Sequence, residues 1–251
     1  MTSQNNINIK QMLGKIPANT VITAKKLHEE GVSHSLMRFY EKSGWLTRLS
    51  NGAYTRLNET ADLSGALYAL QNDCKISVHI GADSALRDFY GKLHFVKSEV
   101  KSRLFAPSGT KLPVWFKKSY ENLFELYCSD FLPQMLGLAD FQNATFFVKI
   151  PTVERALLEL LYLVPNSVTV QEAYSITETV RAVKPFVMQR LLEQCSSVKV
   201  KRLLLCFAEH AGLQWFDALD AQKINLGSGV RTLESGGTLY ANYSLVMKEL
   251  N

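Results

Sequence analysis

Two short helical segments separated only by Gly31, Val32 and Ser33 most narrow what this chain can fold into. Ile9, Met12, Leu13 and Ile16 recur at i, i+3, i+4 and i+7, the apolar stripe of a first helix, and Pro17 ends it. Thr23 is suited to N-cap a second helix, Ala24 to Glu30, which Gly31 stops. Ser33 caps a third and Gly44 closes it. That spacing predicts a helix-turn-helix whose recognition helix runs over residues 33–43. Val32, Leu36 or Met37, and Tyr40 form its inward stripe, with Trp45 and Leu46 closing the core behind. His34, Ser35, Arg38, Glu41 and Lys42 face outward, and Phe39 fits either face.

Strand-like residues 45–49 and 53–57 then flank Ser50-Asn51-Gly52. Asn-Gly between alternating runs predicts a tight hairpin, because both of its turn positions need positive φ. With Asn51 and Gly52 as the loop, Leu49 faces Tyr54 and packs inward, leaving Arg48, Asn51 and Arg56 near the tip and edges. Three helices and a basic hairpin describe a winged helix-turn-helix.

Charge adds a direction. The chain is +5 overall, and residues 1–60 hold eight Lys and Arg against four Asp and Glu, a net of +4. The other 191 residues are nearly neutral, with 20 basic and 19 acidic groups. A cationic module on a neutral body suits an anionic partner, although a solvated basic surface has the same count. If the partner is DNA, the contacts fall to Thr23 and Lys25 on the second helix and to Ser33, His34, Ser35, Arg38 and Lys42 on the third. Arg48, Asn51 and Arg56 would add the wing. His34, Ser35 and Arg38 sit where a recognition helix meets base edges, and Arg38 suits a bidentate guanine contact. The rival from another class is a winged helix that docks a protein.

The remaining residues, 61–251, read as a larger mixed α+β domain, so the division expected is 1–60 and 61–251. Helices are expected at residues 62–72, 84–90, 170–183, 185–195 and 198–211, and extended segments at 75–80, 96–106, 114–116 and 146–150. Thr152 caps the clearest helix, with Val153, Ala156, Leu157, Leu160, Leu161 and Val164 on one stripe. The chain closes in turn-separated strands reaching Met247. Glu154 and Arg155 suit either a surface pair or a buried anchor. Lys199, Lys201 and Arg202 suit a solvated helix start, a partner-binding patch or a second phosphate contact.

Chemistry-bearing motifs are missing. There is no Cys-x-x-Cys, His-Glu-x-x-His or Gly-x-Ser-x-Gly, and Gly227-Ser228-Gly229 lacks the lysine of a phosphate loop. No catalytic residue, metal site or cofactor is expected. The longest apolar run, Leu203 to Ala208, is far short of the ~18–20 residues that span a bilayer. The polar, Asn-rich N-terminus does not read as a secretory signal, and four cysteines without a pairing pattern suit a reducing compartment. A cytoplasmic protein with no membrane partner is expected.

The chain resembles the AbiEi family of antitoxins, bacterial transcriptional regulators of type IV toxin–antitoxin systems linked to abortive infection. The resemblance runs through Val21-Ile22-Thr23, Gly31-Val32-Ser33, Gly44-Trp45-Leu46 and Gly52-Ala53-Tyr54. Further on it lies in Thr152-Val153-Glu154-Arg155-Ala156, Leu191-Leu192-Glu193-Gln194-Cys195, Val198-Lys199-Val200-Lys201-Arg202-Leu203 and Ile224-Asn225-Leu226-Gly227-Ser228-Gly229. It implies a winged helix that binds inverted repeats at the system's own promoter; a single short helix and wing read few base pairs, so two copies on one operator are expected. It also implies a C-terminal domain that neutralises a nucleotidyltransferase toxin, generally without a tight complex. His34 departs from the pattern, where a basic or small polar residue is commoner. No catalytic residue is carried over.

Overall fold

The computed structural model describes residues 9–88, 90–91 and 101–250, and the chain forms two compact units. One runs up to His79 and adds Gly109–Glu125 and Asp140–Lys149. The other comprises Ile80–Ser108, Leu126–Ala139 and the chain from Ile150 onward.

The first unit opens with α1 (Ile9–Gly14), β1 (Ile22–Thr23), α2 (Ala24–Glu29), α3 (His34–Lys42), β2 (Leu46–Ser50) and β3 (Ala53–Arg56). Side-chain caps set the two key helix starts: Thr23 Oγ1 accepts from Lys26 N at 3.0 Å, and Ser33 Oγ from Leu36 N at 3.2 Å. Met12, Leu13, Ile16, Leu27, Val32, Met37, Tyr40, Leu46 and Tyr54 close one core beneath an antiparallel sheet of order β1-β3-β2. This is a winged helix-turn-helix.

Three details differ from the sequence expectation. Trp45 is 37% exposed, so Leu46 closes the core without it. In the hairpin Arg48, not Leu49, stands opposite Tyr54, because the register shifts by a bulge between Arg48 and Ser50 that leaves Leu49 exposed. Gly52 takes φ +81° whereas Asn51 keeps a negative φ, so the turn needs only one left-handed residue rather than two.

The unit continues beyond residue 60 into α4 (Leu63–Asn72), capped by Asp62 Oδ1 on Gly65 N at 2.8 Å. Gly65 lies so close to the segment before β1 that a Cβ there would stand 2.1 Å from Asn19 O, and its carbonyl accepts from Val21 N. After α4 come β4 (His79–Ile80), α5 (Ala82–Asp88), β5 (Ser102–Ala106), α6 (Val114–Tyr120), β6 (Phe124–Cys128), β7 (Leu138–Asn143) and β8 (Phe146–Pro151). Residues 114–116, expected to be extended, open a helix instead. The aromatic run has strand propensity, but burial of Trp115, Phe116 and Tyr120, with the last two rings stacked at 5.4 Å, overrides it. The extended reading of residues 96–100 lies outside the described residues. Strands β6 and β7 have no counterpart in the sequence reading.

The second unit is organised around α7 (Val153–Tyr162), against which α5, α8 (Val170–Thr179), α9 (Pro185–Gln194) and α10 (Val198–His210) pack. Every residue from Val153 to Leu161 is buried, its charged groups included. Of the two readings of Glu154 and Arg155, burial selects the anchor. Glu154 Oε1 accepts from Lys184 N at 2.7 Å at the start of α9. Arg155 donates to Pro133 O at 2.7 Å and Leu136 O at 2.6 Å, and pairs with Glu159 at 2.8 Å. β4, β5 and β6 form a three-stranded sheet, while β9 (Arg231–Thr232), β10 (Thr238–Tyr240) and β11 (Leu245–Met247) form another, in the order β10-β11-β9. No described helix is long and apolar enough to cross a membrane.

Candidate nucleic-acid interface

Because α3 turns Met37 and Tyr40 into the core, His34, Ser35, Arg38, Phe39 and Lys42 emerge together on its other side, all exposed. Arg38 and Lys42 form no ion pair among the described residues. Ser33 spends its hydroxyl on the cap and stands 2.9 Å from Ser35 Oγ. His34 Nε2 lies 3.1 Å from His28 Nε2, the two rings meeting edge to face with centroids 4.4 Å apart. This contact bridges α2 and α3 and orients the first ring of the recognition face. His28 carried no signal in the sequence, since a six-residue separation across a turn has no fixed geometry. On the wing, Arg48 Nη2 donates to Asn51 Oδ1 at 3.1 Å, so the tip presents an oriented guanidinium.

The acids of this segment are mostly taken. Lys25 pairs with Glu29 at 4.0 Å, Lys26 with Glu30 at 2.9 Å and Arg56 with Glu59 at 3.1 Å. Three of the four carboxylates in residues 1–60 are thereby matched. The recognition helix and the wing carry Arg38, Lys42 and Arg48, and Glu41 is the remaining carboxylate of residues 1–60. Positive charge therefore concentrates on the recognition helix and the wing. Lys25 stays exposed but shares its charge with Glu29.

Two residues expected on this face are not there. Thr23 is 3% exposed, and its hydroxyl, besides capping α2, donates to Asp73 Oδ2 at 3.1 Å. Burial holds the Asp73 carboxyl above its ordinary range, with the Thr23 hydrogen bond pulling the other way. Arg56 turns inward: Nη2 donates to the carbonyls of Leu13 (2.6 Å) and Ile16, at the end of α1. It ties α1 to the hairpin, where free carbonyls need donors.

Within the basic cluster of α10, Lys201 and Arg202 are buried and Lys199 is half-buried. Arg202 is 3% exposed and donates to Leu226 O at 2.8 Å, Gly229 O at 2.7 Å and Ser244 O at 3.2 Å. Lys201 is buried as well. Lys199 donates to Tyr162 O at 2.7 Å and to Val164 O, at the C-terminal end of α7, and lies over the Tyr162 ring. Burial, assisted by nearby Arg231, lowers the Lys199 ammonium to about 8.

No group of three or more His, Cys, Asp or Glu is placed to hold a metal among the described residues. All four cysteines are free thiols, and burial pushes the Cys206 thiol up to about 12.

With this geometry in place, known proteins supply a context. Residues 5–98 match the family model described as the transcriptional regulator AbiEi antitoxin N-terminal domain. Residues 99–248 match that of the transcriptional regulator AbiEi antitoxin of a type IV TA system. No curated protein matches the sequence. Among solved structures, the RV2827C protein from Mycobacterium tuberculosis shares the fold at a TM-score of 0.59 and 16% identity, over 97% of this chain and 90% of that one.

Proposed function

The chain belongs to the AbiEi family of antitoxins, transcriptional regulators of type IV toxin–antitoxin systems, and from that premise we propose what its two units do. The winged helix represses the promoter of its own system by binding inverted repeats, and the rest of the chain counteracts a nucleotidyltransferase toxin. The observation that carries the DNA reading is the face shared by His34, Ser35, Arg38 and Lys42, beside an Arg48 oriented by Asn51. Arg38 reads a base edge, Lys42 and Arg48 hold phosphates, and Ser35 and His34 contact base or backbone. One short helix and one wing read few base pairs, which supports two copies on one operator.

Operator binding at several salt concentrations tests this. Arg38→Ala should cost about 1–3 kcal/mol and relax preference at one base position. Arg48→Ala should weaken all DNA alike and shallow the salt slope by about one unit. Arg56→Ala should lower thermal stability and leave that slope alone, since its guanidinium serves α1. Salt-insensitive binding, or unchanged affinity in both surface variants, would instead indicate a winged helix that docks protein.

The antidote activity is best tested in the full chain, because Gly65 and Asp73 bond directly to the winged helix and a cut near residue 60 would sever them. Protein carrying Arg38→Ala and Arg48→Ala together should fail to repress yet still restore growth to toxin-expressing cells. Loss of rescue by the folded double variant would place both activities on the winged helix.

A further inference from the structure

Phe39 is the one apolar member of the exposed recognition face. It is 60% exposed, although α3 already fills the core with Met37 and Tyr40. Among described residues its ring meets only the neighbouring Tyr40, tilted at 5.9 Å. Ser35 precedes it by four residues and Lys42 follows by three, so all three share one helix surface with Arg38 alongside. A phenyl ring held there has no polar atom to offer a donor or acceptor. Against such an edge it would strand a buried polar group. The apolar feature that a base pair presents in the major groove is the C5-methyl of thymine.

We infer that Phe39 reads the methyl group of a thymine adjacent to the base read by Arg38, once in each operator half-site. The inference rests on the DNA reading above and adds to it a specificity element of defined chemistry. Phe39 supplies no charge, so it contributes discrimination and not salt dependence.

The test replaces each thymine of the footprinted promoter fragment, one at a time, with deoxyuridine, which removes the methyl and nothing else. Burying one methyl is worth about 0.8 kcal/mol, so wild-type affinity should fall about fourfold at one position per half-site. Phe39→Ala should bind the unmodified operator more weakly, keep the wild-type salt slope and be indifferent to deoxyuridine at that position. Phe39→Leu, which keeps an apolar contact, should retain most of the sensitivity. Because the side chain is exposed, circular dichroism should show all three proteins folded alike. The inference is overturned if wild type and Phe39→Ala respond equally to every deoxyuridine, or if Phe39→Ala leaves operator affinity unchanged. Wild-type protein that binds promoter DNA in a salt-dependent way but ignores every methyl overturns the inference and spares the DNA reading. Absence of salt-dependent binding by the wild type overturns both.

Discussion

Arg155→Met should cost the second unit about 3–5 kcal/mol of stability, a fall in melting temperature on the order of 10 °C. Glu159 is 0% exposed, and Arg155 Nε donates to it at 2.8 Å. Methionine fills comparable volume but removes the Arg155 cation from beside that buried carboxylate, and strands the carbonyls of Pro133 and Leu136. Glu159 also accepts from Ala82 N at 3.3 Å and stands where a Cβ on Gly81 would lie 2.3 Å away, so the start of α5 depends on the same carboxylate. Adding Glu159→Gln should recover part of the loss, since the amide keeps an acceptor for Ala82 and removes the buried charge. A double-mutant cycle by denaturant unfolding should give a coupling of about 1–3 kcal/mol. Additive effects would mean that the pair does not act as a unit.

Arg202→Ala should be of similar size, since each buried carbonyl left unsatisfied costs about 1–3 kcal/mol, but its damage should be local to the C-terminal strands. One guanidinium donates to the carbonyls of Leu226 and Gly229 in one loop and of Ser244 just before β11. Arg202→Lys should restore only a fraction, because a single ammonium on a flexible stem cannot serve three acceptors in a fixed fork. Limited proteolysis should then cleave after α10 sooner, while operator affinity stays at the wild-type value. Cleavage at the wild-type rate would rule out the stapling role. Charge reversal at Lys199, Lys201 and Arg202 would abolish rescue by unfolding, and so would locate no surface.

The same residues show where sequence reading reaches and where it stops. Thr23, Ser33 and Thr152 were legible as caps because a cap is a contact over three residues, governed by local backbone geometry. The stripe of α1, the Gly31 turn and the Asn51-Gly52 hairpin belong to the same class. The hairpin bulge at Leu49 was not legible, since register depends on which side chains the core accepts. Nor was the helix at Val114–Tyr120, whose aromatic composition favours a strand until burial decides otherwise.

The sequence by itself therefore determined the helix-turn-helix and wing, the long apolar helix after Thr152, and the excess of positive charge in the first quarter. All three follow from interactions spanning a few residues or from a count. Only the tertiary structure decided where each cation points. Arg38 and Arg48 remain in solvent, whereas Arg56 and Arg202 reach carbonyls 24 to 43 residues away in the chain. A long, flexible side chain goes to whichever unpaired carbonyls the fold brings within reach, and loop closure over such distances leaves no periodic trace in the sequence.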